Sequence, residues 1–311
     1  MAQGQVSTIT VCVCTYKRPD FLAELLESLA RQETEGRFGF DIVVVDNDRH
    51  GSARAVVEAF SARHMALRVA YAVEPTQGIS HARNRSVAMA HSELIAFVDD
   101  DECASPRWLA ALLRTMHDCA ADAVLGPVIP DFPPGSKVWA KSSRLFERPR
   151  YETGTAITSG DGRTGNALVR SAWVKRRAPE SFSLALSSSG GEDHDFFCWM
   201  EMHGARLYWC DDGSVSERVP LERQRVRYVL MRRLRASIAY WRRHNKKRPR
   251  WRAWSEAVLG GVGGVLALVA GLAAYPFHPA RAVRFWAKAA NGFGRIGALT
   301  RLKVVGYGEA K

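Results

Sequence analysis

The stretch Leu94-Ile95-Ala96-Phe97-Val98-Asp99-Asp100-Asp101-Glu102 decides the fold of this 311-residue chain, because an unbroken apolar run ends in four adjacent carboxylates. An apolar run this short and continuous reads as a strand covered on both faces, the habit of a parallel sheet. Four neighbouring carboxylates repel one another unless a cation or hydrogen-bond donors compensate them. A divalent metal is the economical compensator, and an oxygen-only ligand set favours magnesium or manganese over zinc. A lone Asp at a strand end is as often a turn or cap residue. The helix that follows already has Ser105 as N-cap and Pro106 at its first position, so Asp99-x-Asp101 is read as functional.

Working outward, similar apolar runs lie at Ile9–Cys14, Asp41–Val45, Leu67–Val73 and Ala123–Val128. Helical patterns alternate with them. Pro19 opens one in which Leu22, Leu25, Leu26 and Leu29 recur at i, i+3, i+4 and i+7, and others fit Ser52–Arg63, Ser80–His91 and Pro106–His117. This alternation predicts a doubly wound α/β sheet, in which ligands bind beyond the carboxyl ends of the strands. The residues there are polar: Thr15-Tyr16-Lys17-Arg18-Pro19, Asp46-Asn47-Asp48, Glu74-Pro75 and the acidic run.

Two further constellations carry chemistry. Gly190-Gly191-Glu192-Asp193-His194-Asp195 opens a helix running to about His203 and stopped by Gly204. Acids in a first turn also serve the helix dipole. Asp193, however, shares a helical stripe with Phe197 and Met200, and a carboxylate at the margin of a core is suited to general-base work. Gly78-Ile79-Ser80-His81-Ala82-Arg83-Asn84-Arg85 leads a turn into a helix whose N-terminus and Arg83 suit a diphosphate. No Gly-rich phosphate loop follows any strand, since Gly260-Gly261 and Gly263-Gly264 fall in an apolar segment. A metal bridging a diphosphate would replace such a loop.

Taken in order, Val13-to-Pro19, Val44-to-Asp48, Gly78-to-Arg85, Asp99-to-Glu102, Thr164-Gly165-Asn166 and Gly190-to-Asp195 resemble family 2 inverting glycosyltransferases, nearest in look to the succinoglycan-type glucosyltransferase branch of exopolysaccharide synthesis. The likeness spans roughly residues 6–220 and implies a GT-A fold, a Rossmann-like, mostly parallel sheet flanked by helices. By the resemblance, Thr15, Tyr16 and Arg18 line the nucleoside pocket and Asp46 binds the uracil edge. Arg83, Asp99 and Asp100 complete the donor-nucleotide site, with Asp99 on the ribose. Asp101 is the metal ligand, Asn166 lies near the donor sugar, Asp193 is the catalytic base, and Glu192 helps to position acceptor or base. The implied partners are a UDP-sugar, first of all UDP-glucose, and a polyprenyl-diphosphate-linked or oligosaccharide acceptor. Gln224-Arg225-Val226-Arg227-Tyr228 matches only loosely the Gln-x-x-Arg-Trp of processive polysaccharide synthases, which argues against processivity.

The formal charge of +12 is concentrated late in the chain. From Arg218 to Arg252 run Arg223, Arg225, Arg227, Arg232, Arg233, Arg235, Arg242, Arg243, Lys246, Lys247, Arg248 and Arg250, opposed only by Glu222. Ala257–Tyr275 then carries no charge and is long enough to span a bilayer or to form a re-entrant or buried helix. Trp241, Trp251, Trp254 and Trp286 among these cations read as interfacial anchors on an anionic membrane surface. Residues 1–220 are therefore expected to form the catalytic domain and 221–311 a membrane-associating helical region. The six cysteines form no pair pattern, and Met1–Thr8 does not read as a secretory signal, which points to the cytoplasmic face of a membrane. The rival readings are a sugar nucleotidyltransferase, which would show a Gly-rich loop after its first strand, and a non-catalytic basic nucleic-acid-binding protein. The second leaves the acidic run unexplained, because carboxylates repel phosphate, so no nucleic-acid partner is expected.

Overall fold

The computed structural model describes residues 7–187, 190–245 and 249–300. Lys246, Lys247 and Arg248 of the basic run lie outside the described residues, as do residues 301–311. The chain divides into two compact units, Met1–Ile129 with Arg148–Glu217, and Pro130–Glu147 with Arg218–Lys311. The second unit is thus assembled from two stretches of chain that are far apart in sequence.

The strands are β1 (Ser7–Thr15), β2 (Phe38–Asp46), β3 (Val69–Val73), β4 (Leu94–Asp99), β5 (Glu102–Ala104), β6 (Ala123–Leu125), β7 (Val128–Asp131), β8 (Asn166–Arg170), β9 (Leu207–Trp209) and β10 (Val215–Arg218). The helices are α1 (Pro19–Ala30), α2 (Arg54–Arg63), α3 (Ile79–Met89), α4 (Trp108–Asp118), α5 (Val138–Ser142), α6 (Ser171–Arg176), α7 (Glu192–Met202), α8 (Val226–His244), α9 (Arg250–Ala274) and α10 (Pro279–Leu299).

The main sheet has the order β3-β2-β1-β4-β8-β6-β9. β3, β2, β1 and β4 are parallel, as the apolar runs predict, and β8 runs antiparallel to both β4 and β6. Successive residues of a strand point to opposite faces. Val11, Val13, Val44, Ala96 and Val98 are buried with Leu22, Leu25 and Leu26 of α1 and Trp108 and Leu112 of α4. Cys12, Val43, Val45, Ile95 and Phe97 are buried with Ala82 of α3 and with Phe196, Phe197 and Met200 of α7. Both faces being covered explains why the strands read as continuous apolar runs rather than alternating ones.

Two local expectations are corrected. The run Ala123–Val128 is broken at Gly126-Pro127: β6 stays in the main sheet, while β7 belongs to a small sheet with β5 and β10. Ser105 does not cap α4. The helix starts at Trp108 behind Arg107, Trp108 N–H bonds the Ser105 carbonyl at 3.0 Å as a turn, and the buried Ser105 hydroxyl has no hydrogen-bond partner.

In the second unit, Gln224 is fully buried and joins the two segments. Its amide donates to Ser136 Oγ and to the Val219 carbonyl, both at 2.8 Å, and its oxygen accepts from Lys137 N–H at 2.8 Å. α9 and α10 form an antiparallel hairpin with small residues in its seam. Gly260 lies against Gly292 and Arg295, Gly264 against Ala289 and Phe293, and Gly271 against Ala282 and Trp286. A side chain at Gly292 would collide with the Gly260 carbonyl, so the backbones are as close as glycine permits. α8 flanks α10 on another side, where Ser237 Oγ donates to the Asn291 carbonyl at 2.7 Å and the Arg295 guanidinium lies 4.7 Å from the Trp241 ring centre.

Candidate functional site

The register of the parallel strands brings the polar strand ends to one edge, with Thr15 beside Asp46 and Cys14 beside Asp99. From β1, Thr15 Oγ1 donates to Asp100 at 2.8 Å. Lys17 adopts a left-handed φ of +53° in the turn to α1, between the half-exposed Tyr16 and Arg18. One Arg18 nitrogen bonds both Asp100 (3.1 Å) and Asp101 (3.2 Å). The repulsion expected within the acidic run is thus partly compensated by one arginine. Burial pushes the Asp100 carboxyl up to about 6, against the opposing pull of Arg18 and the Thr15 hydroxyl.

The next carboxylates meet at Arg83, which α3 holds 8% exposed. Its guanidinium bonds Glu192 through Nη1 and lies 3.5 Å from Asp99 through Nη2. Glu192 is the first residue of α7, 3% exposed behind a left-handed Gly191 at φ +91°. Its carboxyl is raised above the ordinary value, first by burial, with Arg83 pulling it down and Asp193 pushing it up. Asp193 is half-buried, with Oδ1 accepting from His194 N–H at 2.7 Å, while Asp195 turns to Arg177 at 2.6 Å. The three acids of this turn therefore divide into one sealed in, one at the rim and one tied away from the cluster. The rim position of Asp193 fits the stripe it shares with the fully buried Phe197 and Met200.

Asp46 and Asn166 are placed differently from expectation. Asp46 is 0% exposed and accepts from Ala53 N–H (2.7 Å), Asp48 N–H (2.9 Å) and Tyr71 Oη (3.1 Å). Its carboxylate shapes the β2–α2 loop and presents no surface to a ligand. Asn166 is 2% exposed and donates to the Pro127 (3.0 Å) and Gly213 (2.7 Å) carbonyls while accepting from Trp108 Nε1 (2.8 Å). It clamps strand ends together beneath the edge.

Several residues of the site escaped the sequence reading. Glu102, inside the acidic run but given no role, is buried and accepts from Asp99 N–H at 2.9 Å. Burial and the neighbouring Asp99 hold its carboxyl well above the usual range. Asn47 links three segments, donating to the Glu74 (3.0 Å) and Thr76 (2.8 Å) carbonyls and accepting from Gly78 N–H (2.7 Å), which fixes the entry to α3. Gly165 stands so close to Asp99 and Glu102 that a Cβ there would come within 2.8 Å of the Glu102 carboxylate. The signals were present in Asp46-Asn47-Asp48 and Thr164-Gly165-Asn166, but spacing alone does not say which member of a polar triplet faces inward.

Among the described residues no three His, Cys, Asp or Glu side chains are grouped as a complete metal cage. Magnesium-type sites are commonly built from one or two carboxylates completed by substrate phosphates, and the donor chemistry at Asp99 and Asp101 fits that kind. Partly buried carboxylates and a buried arginine at the edge of a parallel sheet form a surface able to hold a metal-bound diphosphate and to offer a base beside it.

Residues 10–177 match the family described as Glycosyl transferase family 2. The chain belongs to that family. This glycosyl transferase is 36% identical over 304 residues to the succinoglycan biosynthesis protein ExoM of Rhizobium meliloti (strain 1021), with 96% of this chain and 94% of that one covered. Validoxylamine A glucosyltransferase of Streptomyces hygroscopicus subsp. limoneus is 29% identical over 171 residues, 47% of this chain and 37% of its own length. Among solved structures, the mannosyltransferase PcManGT from Pyrobaculum calidifontis, in complex with GDP-Man and Mn2+, superimposes with a TM-score of 0.64 at 17% identity, covering 95% of this chain and 88% of that one. S. aureus TarS 1–349 in complex with UDP gives 0.53 at 18% identity, covering 96% and 94%. At such identities the likeness is one of fold, and the fold is GT-A as the sequence implied. For the glycosyl transferase, membership decides against the nucleotidyltransferase and nucleic-acid-binding readings.

Proposed function

We propose that this glycosyltransferase moves a hexose from a UDP-sugar, first of all UDP-glucose, onto a polyprenyl-diphosphate-linked or oligosaccharide acceptor at the cytoplasmic face of a membrane, inverting the anomeric centre. The observation that supports it best is the convergence of Arg18, Arg83, Asp99, Asp100, Asp101 and Asp193 on one sheet edge in a family 2 chain. The kinship with ExoM over nearly the whole chain favours a bacterial cell-surface polysaccharide as the product's destination.

In this reading Thr15, Tyr16 and Arg18 border the nucleoside, with Asp99 and Asp100 on the ribose side. Arg83 faces the diphosphate, and Glu192 holds Arg83 in place. Asp101, with Asp99 near it, holds the divalent cation, manganese or magnesium, which supplies Lewis-acid stabilisation of the leaving diphosphate when bound. Asp193 accepts the proton of the acceptor hydroxyl as that oxygen attacks the anomeric carbon. Asp46 and Asn166 act through the backbone they organise rather than by touching the donor.

A panel of UDP-sugars offered to the purified enzyme with manganese tests the proposal through donor turnover. Asp193→Asn should lower kcat by roughly 10²–10⁴-fold and leave UDP binding intact. Equal turnover by wild type and Asp193→Asn would remove Asp193 from the mechanism, and no turnover of any UDP-sugar by folded wild type would count against the donor class.

A further inference from the structure

α9 is long and apolar enough to cross a membrane, and most of its apolar length is not buried against the rest of the chain. At 1.5 Å per residue its 25 residues extend about 37 Å, enough for a hydrocarbon core of about 30 Å. What it is paired with argues against crossing. The seam contacts set the register: Gly260 lies against Gly292, Gly264 against Ala289 and Phe293, Gly271 against Ala282 and Trp286. The centre of the apolar segment, near Leu266, is therefore level with Lys288, an exposed residue of α10. Arg281, Arg284, Lys288 and Asn291 recur at i, i+3, i+7 and i+10 and are all exposed, a polar stripe along the length of α10. On the far flank α8 carries exposed Arg232 and Arg235, and the Leu234 carbonyl is beside Gly294.

Were α9 upright in a bilayer, the helices packed along it would bring this stripe into the hydrocarbon. Ionisable groups there are costly and rare, and tolerated chiefly when they face a protein interior or pair with one another. Lying flat, the same unit has no such conflict. The outward stripe of α9 is continuous from Trp251 and Trp254 through Val258, Val262, Val265 and Val269 to Leu272, with Leu259 and Leu266 beside it, all exposed. Tryptophans at one end of an apolar stripe and basic helices alongside are the composition of an interfacial element that binds anionic lipid.

We infer that α8, α9 and α10 form a monotopic platform, with α9 lying in the plane of an anionic bilayer, its Trp251–Leu272 stripe in the upper acyl layer and the α10 cations at headgroup level. The inference rests on the membrane reading proposed above and fixes its geometry.

The test uses the full-length protein carrying an environment-sensitive fluorescent amino acid at Leu266 or, separately, at Lys288. It is mixed with vesicles of phosphatidylcholine alone or with phosphatidylglycerol added. The platform predicts flotation that depends on phosphatidylglycerol, quenching at 266 by lipids brominated near the headgroup end of the chain, and quenching at 288 by iodide from water. A Leu259→Asp/Leu266→Asp variant should partition roughly tenfold or more less, because carboxylates replace acyl-embedded leucines. Flotation with both reporters equally quenched by deep-chain bromolipids and shielded from iodide would overturn the flat geometry alone. No flotation, with UDP binding intact, would overturn the membrane reading itself. Shielding of 266 without vesicles, with concentration-dependent sedimentation, would assign the stripe to a second copy of the chain and overturn the inference.

Discussion

Arg83 and Glu192, 109 residues apart in sequence, form an ion pair in which both side chains are under 10% exposed. It ties α3 to the first turn of α7 at the edge where the polar strand ends gather. The half-buried Asp193 next in the chain is held by the same turn, so the pair sets where a base would stand.

Removing one partner of a buried pair leaves an uncompensated charge, whereas replacing both with apolar groups need not. Glu192→Ala is expected to destabilise the fold by ~3–5 kcal/mol, and Arg83→Met/Glu192→Met should recover much of that. Urea unfolding of the single and double variants measures both. A loss for Glu192→Ala below ~1 kcal/mol, the scale of exposed pairs, would contradict the buried pairing.

Asn166→Ala strips partners from Trp108 Nε1 and from the Pro127 and Gly213 carbonyls, all at buried positions. Orphaned buried groups cost about 1–3 kcal/mol each, so the variant should unfold at clearly lower urea while its donor KM, at a temperature where it is folded, stays near that of wild type. A raised donor KM without loss of stability would return Asn166 to the sugar site.

Burial, with some relief from Arg83 and Ser86, pushes the Cys14 thiol from its ordinary 9.0 up to about 12, and Cys12 is driven up as well by burial and by Cys14. A raised folded-state value keeps the neutral thiol. At pH 8 Cys14 should therefore hold roughly a thousandfold less thiolate than an ordinary cysteine and react correspondingly slowly with a disulfide reagent until the protein unfolds. The associated stability is present below pH 9 and is lost as pH rises from about 9 towards 12. Mass spectrometry after timed labelling reads the site, and rapid native labelling at Cys14 would refute the raised thiol value.

The parallel core was legible because strands covered on both faces are continuously apolar, and Ile9–Cys14 and Leu94–Val98 are short, bounded by polar residues and, in the first case, rich in β-branched side chains. α1 was legible for a like reason, with Pro19 at its start and Leu22, Leu25, Leu26 and Leu29 on one stripe. Roles that depend on which way a polar side chain turns were not legible. Asp46 ends β2 as expected and Asn166, expected in a turn, opens β8, yet nearby backbone groups, the Tyr71 hydroxyl and the Trp108 ring claim their oxygens and nitrogens. Ser105 looked like a cap because Pro106 follows it, but the chain makes one more turn before α4 begins. The placement of 130–147 with the second unit comes from long-range bonds such as those of Gln224 to Ser136 and Lys137, 88 and 87 residues away in sequence, and of Arg233 to the Leu145 carbonyl, beyond any local pattern.

Titration of UDP into the detergent-purified protein by calorimetry, with and without manganese and alongside Asp101→Ala, tests the central claim most directly. The account predicts UDP binding that manganese strengthens and that Asp101→Ala loses while remaining folded by circular dichroism. Binding that ignores both manganese and the substitution, or no binding by folded wild type, would contradict it.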